Sequence, residues 1–299
     1  MKNIDSIKPE EFDHLWNYSQ PEITVEQFRS LIDIIKAHED KTLYPQLLTQ
    51  IARCETLLRN FESASLALQK AIAIIEQLQD IDKPLPSTRY FLEKGRWENW
   101  HQESDRGKSS FLLALNIATL HSLDFYAVDA MHMLGIVCQS EESLEWNKKA
   151  MLYAEKSTDL KAKSWLGALY NNIGWTYHSK EDFNAALECF LKSEIWFKER
   201  KRLEESLIAK WSAAKMMRLL GRIGEALLVH YECAEQRKSA NLEHDGYIAE
   251  EIGECLLSLN KIDDATPFFA SAYTILCEDN WFAQHEFARL ERLKQLGKC

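Results

Sequence analysis

The chain has 299 residues but only 10 Gly and 6 Pro. So few turn residues exclude β-sandwiches and barrels, since these need one about every 8–12 positions, and they also exclude nucleotide-binding folds, which are built on clustered glycines. Its 46 % hydrophobic and 27 % charged residues predict a globular all-α chain and exclude a disordered or membrane-spanning one. The net charge of −10 opposes nonspecific binding to nucleic acid or anionic lipid, because both depend on Lys and Arg contacts to phosphate.

The first predicted element is an N-terminal helix from Glu22 to His38. Thr24 is its expected N-cap, and Phe28 begins its apolar stripe. We assign residues 1–44 to an N-terminal helical cap that covers the exposed end of a helical stack. Neither a signal-peptide run nor a membrane-length apolar run occurs in the sequence, so we expect a cytoplasmic protein.

Small residues recur through the middle of the chain at intervals of 43, 40, 39, 40 and 39 residues. Five of these six residues are followed twelve positions later by a second small residue. A Gly inside a helix costs about 1 kcal/mol relative to Ala, so its recurrence predicts a close crossing of two antiparallel helices in every unit. The recurring positions are Ala52, Gly95, Gly135, Gly174, Ala214 and Gly253.

The register of these small residues predicts six helix pairs and a C-terminal capping helix at 279–299. In the third unit Ser143 follows Gly135 after only eight positions, which predicts that the first helix ends early, near Cys138. Pro267 stands about two turns into a second helix and predicts a kink or a late helix start there. The predicted pairs span residues 45–87, 88–126, 127–166, 167–206, 207–245 and 246–278.

The fourth unit shows the pattern most clearly. Tyr170, Ile173, Gly174 and Tyr177 have the spacing of one helix face, and Phe190 belongs to the stripe of a second helix. By these residues the chain resembles the tetratricopeptide repeat family, in a variant of about 40 residues per repeat that is similar to kinesin light chains and to uncharacterised bacterial repeat proteins. The resemblance implies a right-handed α-solenoid of about six helix pairs with N- and C-terminal capping helices.

The sequence shows no pattern typical of catalysis. Its histidines are dispersed, and it has no zinc-protease motif, nucleophile elbow or phosphate loop. The seven cysteines occur singly, as expected of small buried hydrophobic residues in a reducing compartment. We therefore expect no catalytic residue, metal or cofactor. The first hypothesis is a non-enzymatic interaction module, the second a peptide-sensing or sequestering regulator, and the third an enzyme.

In stacked repeats the first helix of each unit lines a concave groove, and we expect a peptide or a partner-protein segment to bind there. The groove positions are rich in Trp, Tyr and Arg, as binding surfaces are. Asn172 resembles the asparagine with which long-repeat family members bind a peptide backbone, because a carboxamide both donates and accepts. Alternatively, the aromatic rings pack between neighbouring units and the charges pair across the groove. The candidates are Arg53, Arg96, Asn99, His132, Asn171, Asn172, Trp175, His178, Trp211, Lys215, Arg218, Tyr247, Glu250 and Glu254.

The charged candidates predict a partner that carries both signs of charge. The same polarity suits a homo-oligomer, in which the acidic end of one molecule meets the basic middle of another. Trp165 and Trp196 fall outside the groove positions, so we expect them to pack in the core or between repeats. The candidates that could receive carboxylates are Arg53, Arg96, Lys215 and Arg218, and the acidic end is formed by Glu250, Glu251 and Glu254.

Overall fold

The computed structural model describes residue 12, residues 14–101 and residues 104–299, and the rest of the predicted N-terminal cap, residues 1–11 and 13, lies outside them. The described part contains α-helices and a short 3₁₀ turn at Asp80–Asp82 but no strand, which confirms the all-α class. None of the described helices is both long enough and apolar enough to cross a bilayer. The chain divides into two compact units, Met1–Trp165 and Leu166–Cys299.

Within its described residues the first unit contains three helix pairs preceded by two short helices. The helices of each pair pack against each other, and the second helices of the first two pairs also pack against the first helix of the next pair. The leading helices belong to the core through Val25, Phe28 and Ile35. The predicted single helix over residues 22–38 is divided at Leu31, and its N-cap is Gln20 rather than Thr24, so both of these expectations are wrong. In chain order the elements are α1 Pro21–Ser30, α2 Ile32–Ala37, α3 Leu43–Leu57, α4 Phe61–Ile75, α5 Pro84–Trp100, α6 Ser104–Leu120, α7 Asp124–Val137, α8 Ser140–Lys156 and the single turn α9 Leu160–Lys163.

The second unit contains three further pairs and two terminal helices. The last helix packs on the second helix of the last pair, and its Leu290 and Leu293 are buried in the same core as Phe269. Within the described residues, each unit therefore consists of three TPR-like helix pairs with additional helices at its chain-terminal end. Its elements are α10 Leu166–Ser179, α11 Phe183–Glu199, α12 Leu203–Leu219, α13 Ile223–Ser239, α14 Gly246–Ser258, α15 Ile262–Leu276, α16 Asn280–His285 and α17 Phe287–Gly297.

The recurring glycines are explained by an aromatic ring sixteen positions later. A Cβ atom on Gly174 would lie 2.7 Å from Cε1 of Phe190, and the same clash is found between Gly95 and Phe111 at 2.6 Å. The helices do cross closely at these glycines, but in these two pairs the tightest contact comes from a Phe ring rather than from the second small residue. Gly107 is different, because a Cβ there would lie 3.0 Å from the carbonyl oxygen of Gly95.

The third pair departs from this pattern as its spacing predicts. Helix α7 ends at Val137, and the next helix begins after only two residues. A Cβ on Gly135 would lie 2.6 Å from Nδ2 of Asn147, which stands at the position of the missing small residue. Ser143 takes a different role, because its hydroxyl donates to the carbonyl of Gly135 at 2.5 Å.

One local expectation changes. Helix α15 runs from Ile262 to Leu276 with Pro267 inside it, so the predicted late helix start is wrong. In the second pair, charged residues occupy the apolar positions of the pattern because they bond to each other. The Lys94 ammonium donates to Glu98, and Glu98 also accepts from the Ser110 hydroxyl at 2.6 Å. A buried carboxylate with two donors can replace an apolar side chain at that crossing.

Candidate ligand-binding site

Every candidate residue lies on the first helix of its pair. Helices α3, α5 and α7 carry those of the first unit: Arg53, Arg96, Asn99 and His132. Helices α10, α12 and α14 carry those of the second: Asn171, Asn172, Trp175, His178, Trp211, Lys215, Arg218, Tyr247, Glu250 and Glu254.

In the second unit the basic candidates are bound to a buried carboxylate. The Lys215 ammonium donates to Oε1 of Glu251 at 2.8 Å, and Arg218 donates to both oxygens at 2.6 and 3.1 Å. Burial alone would raise the pKa of Glu251, but the hydrogen bonds and charges of Arg218 and Lys215 lower it to about 2. These three residues therefore form a closed cluster, meaning one in which every carboxylate oxygen already has a donor.

The predicted acidic end is neutralised in the same way by the last helix. Arg289 Nε donates to Glu250 Oε1 at 2.7 Å, and Arg292 binds both oxygens of Glu254. Together with the closed cluster, these pairs leave all three predicted acidic groups bound to cations of the same chain. The structure thus removes the charge polarity on which we based the expectations of a doubly charged ligand and of self-association.

The aromatic candidates of the second unit form a row of rings that joins consecutive first helices. Trp175 lies 5.9 Å from Trp211, Trp211 lies 5.8 Å from Tyr247, and Tyr247 lies 5.8 Å from Phe282. The Trp211 indole also donates to the Tyr247 carbonyl at 3.1 Å. The rings therefore pack between neighbouring repeats, as the alternative interpretation of the groove residues predicts.

The other polar candidates are half-buried. Asn171 lies on α10 with its Oδ1 atom buried and without a donor, and Asn172 lies beside it. The ring centre of His178 lies 5.2 Å from that of Trp175. Burial is the main cause that lowers the pKa of His178, and the charge of Lys215 lowers it further. Asn99 faces α6, because a Cβ on Gly107 would lie 3.5 Å from its Cβ.

The first unit has a comparable charged cluster that stays open. Arg96 donates to Oε1 of Glu93 at 2.7 Å and to Oδ1 of Asp129 at 2.5 Å. The nearest Arg53 nitrogen is 3.6 Å from Oε1 of Glu93, beyond hydrogen-bond distance, and Oε2 of Glu93 is buried without a partner. Within the described residues Arg53 makes no hydrogen bond.

Two aromatic side chains from the segment before α1 hold Arg53 in this position. Its guanidinium carbon lies 5.3 Å from the ring centre of Trp16 and 5.4 Å from that of Tyr18, and the two rings stack on each other at 4.7 Å. The Trp16 indole is fixed by a 3.0 Å hydrogen bond to Gln50. Stacking of this kind stabilises a guanidinium without using its N–H groups.

A cavity of about 250 Å³ lies beside the open cluster. Aromatic rings form much of its wall. Trp165 is one of them: it packs on His132 at 5.1 Å and on Phe125 at 5.9 Å, and its indole nitrogen is buried without an acceptor. The lining residues are His14, Trp16, Tyr18, Gln50, Arg53, Arg89, Leu92, Glu93, Phe125, Tyr126, Asp129, Lys161 and Trp165.

Burial and charge set the protonation states near this cavity. Burial opposes ionisation of Asp129, but the charges of Arg96 and Arg53 hold its pKa below the usual range. The pKa of His132 is lowered, first by burial and then by Arg96, and burial raises that of Tyr18. At neutral pH the site therefore contains the ionised Asp129 carboxylate beside a neutral His132.

Sequence reasoning missed the segment that closes this cavity. Trp16 and Tyr18 precede the first repeat, so the repeat register assigns them no position. Trp165 follows α9 in the connection between repeats; we expected it to pack in the core or between repeats, and it packs half-buried on α7 while also lining the cavity. Of the candidate groove residues, all of which the structure describes, Arg53 alone lines it.

The Tetratricopeptide repeat family matches residues 167–194, which span α10 and most of α11. The segment 167–194 is therefore similar to a tetratricopeptide repeat. This agrees with the resemblance drawn from the fourth predicted helix pair, whose pattern residues lie in the matched segment. No curated protein matches the sequence.

Several solved structures share the fold of this repeat protein. The apo form of RapI is similar with a TM-score of 0.73 at 13 % identity, over 97 % of this chain and 79 % of that one. A signal transduction ATPase with a tetratricopeptide repeat sensor from Pyrococcus horikoshii gives 0.71 at 16 % identity, over 94 % of this chain, which spans only 43 % of the ATPase. NprR in complex with its cognate peptide NprX gives 0.54 at 12 % identity, over 96 % of this chain and 82 % of that one.

Proposed function

We propose that this protein is a non-enzymatic interaction module that binds a peptide or a partner-protein segment on the first helices of its repeats. The observation that carries the proposal is the open cluster of the first unit. There the Arg53 guanidinium faces a cavity with its N–H groups unused, whereas the corresponding cations of the second unit are bound to Glu251.

The fold supports a peptide as the class of ligand. NprR, which shares it, was solved with its cognate peptide. The likeness also favours the second hypothesis, in which the bound peptide regulates a further protein. A cytoplasmic location belongs to the same proposal and is supported by the cysteines, all seven of which are free thiols.

Display of a random peptide library tests this proposal without knowledge of the natural partner. We expect the wild-type chain to enrich a defined set of peptides and Arg53→Gln to lose them. Lys215→Gln is the matched control, because both cations follow the recurring small residue of their repeat but Lys215 already bonds to Glu251. If the wild-type chain enriches no peptide, or if Arg53→Gln enriches the same set, the proposal is wrong.

A further inference from the structure

The cavity of the first unit differs from an ordinary packing defect in its unpaired polar groups. Arg53 offers N–H donors, the Trp165 indole offers one more, and Glu93 Oε2 is an acceptor without a donor. A buried polar atom without a partner costs about 1–3 kcal/mol, so a ligand that pairs these groups gains affinity from relieving that cost. Glu93 and Trp165, which have such atoms, both belong to the cavity wall.

The size and the walls of the cavity restrict its occupant. Its volume of about 250 Å³ is slightly below the roughly 300–1,000 Å³ typical of pockets for drug-sized ligands, which corresponds to a molecule about as large as one amino acid. The rings of Trp16, Tyr18, Phe125, Tyr126 and Trp165 surround this space and suit an apolar or aromatic side chain.

The charges restrict the polar end of the occupant. The lining carboxylates Glu93 and Asp129 both accept from Arg96, whereas Arg53, which also lines the cavity, makes no hydrogen bond within the described residues. The planar Arg53 guanidinium can therefore bind an additional carboxylate through two N–H groups. Oε2 of Glu93 in turn requires an N–H donor.

We propose that this cavity binds an α-amino acid group, whose carboxylate accepts from Arg53, whose nitrogen donates to Glu93, and whose apolar side chain packs among the aromatic rings. Two sources offer this chemistry: a free amino acid, which has an ammonium, and the carboxyl-terminal residue of a peptide, which has an amide N–H. The inference does not require the function proposed above, because a free amino acid binds here whether or not the repeats hold a protein partner.

The test is calorimetric titration of the full chain with four probes: L-phenylalanine, N-acetyl-L-phenylalanine, L-phenylalaninamide and glycine. For a ligand of this size we expect a Kd on the order of 0.1–1 mM for the compounds that have both the carboxylate and the ring. Phenylalaninamide lacks the carboxylate and glycine lacks the ring, so both should bind about tenfold more weakly or worse. Stronger binding of phenylalanine than of its N-acetyl derivative identifies a free amino acid as the ligand, and the reverse order identifies a chain end.

Two variants test the residues involved. Arg53→Gln and Trp165→Phe should each weaken binding, Arg53→Gln by about tenfold, because it removes a charged donor. The matched controls are Lys215→Gln from the closed cluster and Trp196→Phe, whose indole nitrogen is also buried without a partner but does not line this cavity. The probe series on the wild-type chain keeps the test valid should a variant unfold. The inference is overturned if no probe binds saturably, if the amide binds as well as the acid, or if folded Arg53→Gln binds unchanged.

Discussion

His230 allows a quantitative test of how buried polar groups affect stability in this fold. Its side chain is fully buried on α13, neither ring nitrogen has a hydrogen-bond partner, and Nε2 is 4.0 Å from Oε2 of Glu251. Burial lowers the pKa of His230 from 6.5 to about 4, since the attraction of Glu251 is opposed by Arg218 and Lys215. Folding therefore requires the neutral imidazole over a wide pH range.

The sign and size of the pH effect follow from this pKa. Between about pH 4 and 6.5 the unfolded chain protonates this histidine and the folded chain does not, so the free energy of unfolding falls as the pH decreases through that window. A difference of about 2.5 pKa units corresponds to roughly 3 kcal/mol. The lowered pKa of Glu251 adds a further loss, but at more acidic pH, as the pH falls from about 4.5 towards 2.

The substitution His230→Leu removes the histidine contribution and preserves the packing. Position 230 follows Ala214 by sixteen residues, as Leu68 follows Ala52, so leucine already occupies this site of the repeat opposite an alanine. We expect the variant to be more stable at pH 7 by about 1–2 kcal/mol, because two unpaired buried nitrogens disappear. Its stability should also depend less on pH between about 4.5 and 6.5, with a smaller slope remaining from His132 and His178, whose pKa values are lowered as well.

Urea denaturation followed by circular dichroism, at pH values from about 4 to 7, measures both effects. His244→Leu is the control, because this histidine is exposed on the same unit and should leave the pH dependence unchanged. An equal pH slope in the wild type and in His230→Leu would refute the link between the buried imidazole and acid sensitivity. A loss of stability at pH 7 would show that the imidazole has bonds that the structure does not reveal.

Three further predictions concern packing and ion pairs. Gly174→Ala should lower the free energy of unfolding by about 1–2 kcal/mol, because its added methyl group clashes with Phe190. In a double-mutant cycle of thermal or urea unfolding, Phe190→Leu should recover about 1 kcal/mol of this loss, and strict additivity of the two substitutions would contradict the ring contact. Arg218→Ala should cost about 3–5 kcal/mol of unfolding free energy, because Glu251 loses two of its three donors while buried, and a cost below about 1 kcal/mol would show that Lys215 suffices. Arg289→Ala should speed hydrogen exchange in α17 while leaving α10 and α11 unchanged, and equal acceleration everywhere would indicate global rather than local loosening.

The repeat register was predictable because it is encoded in local pairs of residues. Gly174 and Phe190 touch across the two helices of one pair, and the same relation recurs at Gly95 with Phe111. A fixed spacing in the sequence thus reports a fixed contact in space. The terminal caps were predictable for a related reason, since the ends of a helical stack expose apolar faces that amphipathic helices can cover.

The cavity was not predictable in this way, because the segment that completes it does not follow the repeat. The ring of Trp165 belongs to a connection, and Trp16 reaches α3 through a hydrogen bond to Gln50 across 34 positions of sequence. Such long-range contacts depend on the path of the chain after folding and leave no periodic trace. The pairing of charges escaped prediction as well, since Glu250 and Glu254 meet arginines on α17, outside the repeats.

The two charged clusters show most clearly what separates a structural group from a functional one in this chain. Glu93 and Glu251 hold the same register position, two residues before the recurring small residue, and each faces a cation from the preceding repeat. Glu251 receives three hydrogen bonds and is closed, whereas the stacking of Arg53 on two aromatic rings leaves its guanidinium 3.6 Å from Glu93. Arg53 thus lies within ion-pair distance of Glu93 but donates no hydrogen bond to it, and its N–H groups can bind another carboxylate. The residues outside the repeat therefore convert one copy of a shared structural position into the candidate binding site.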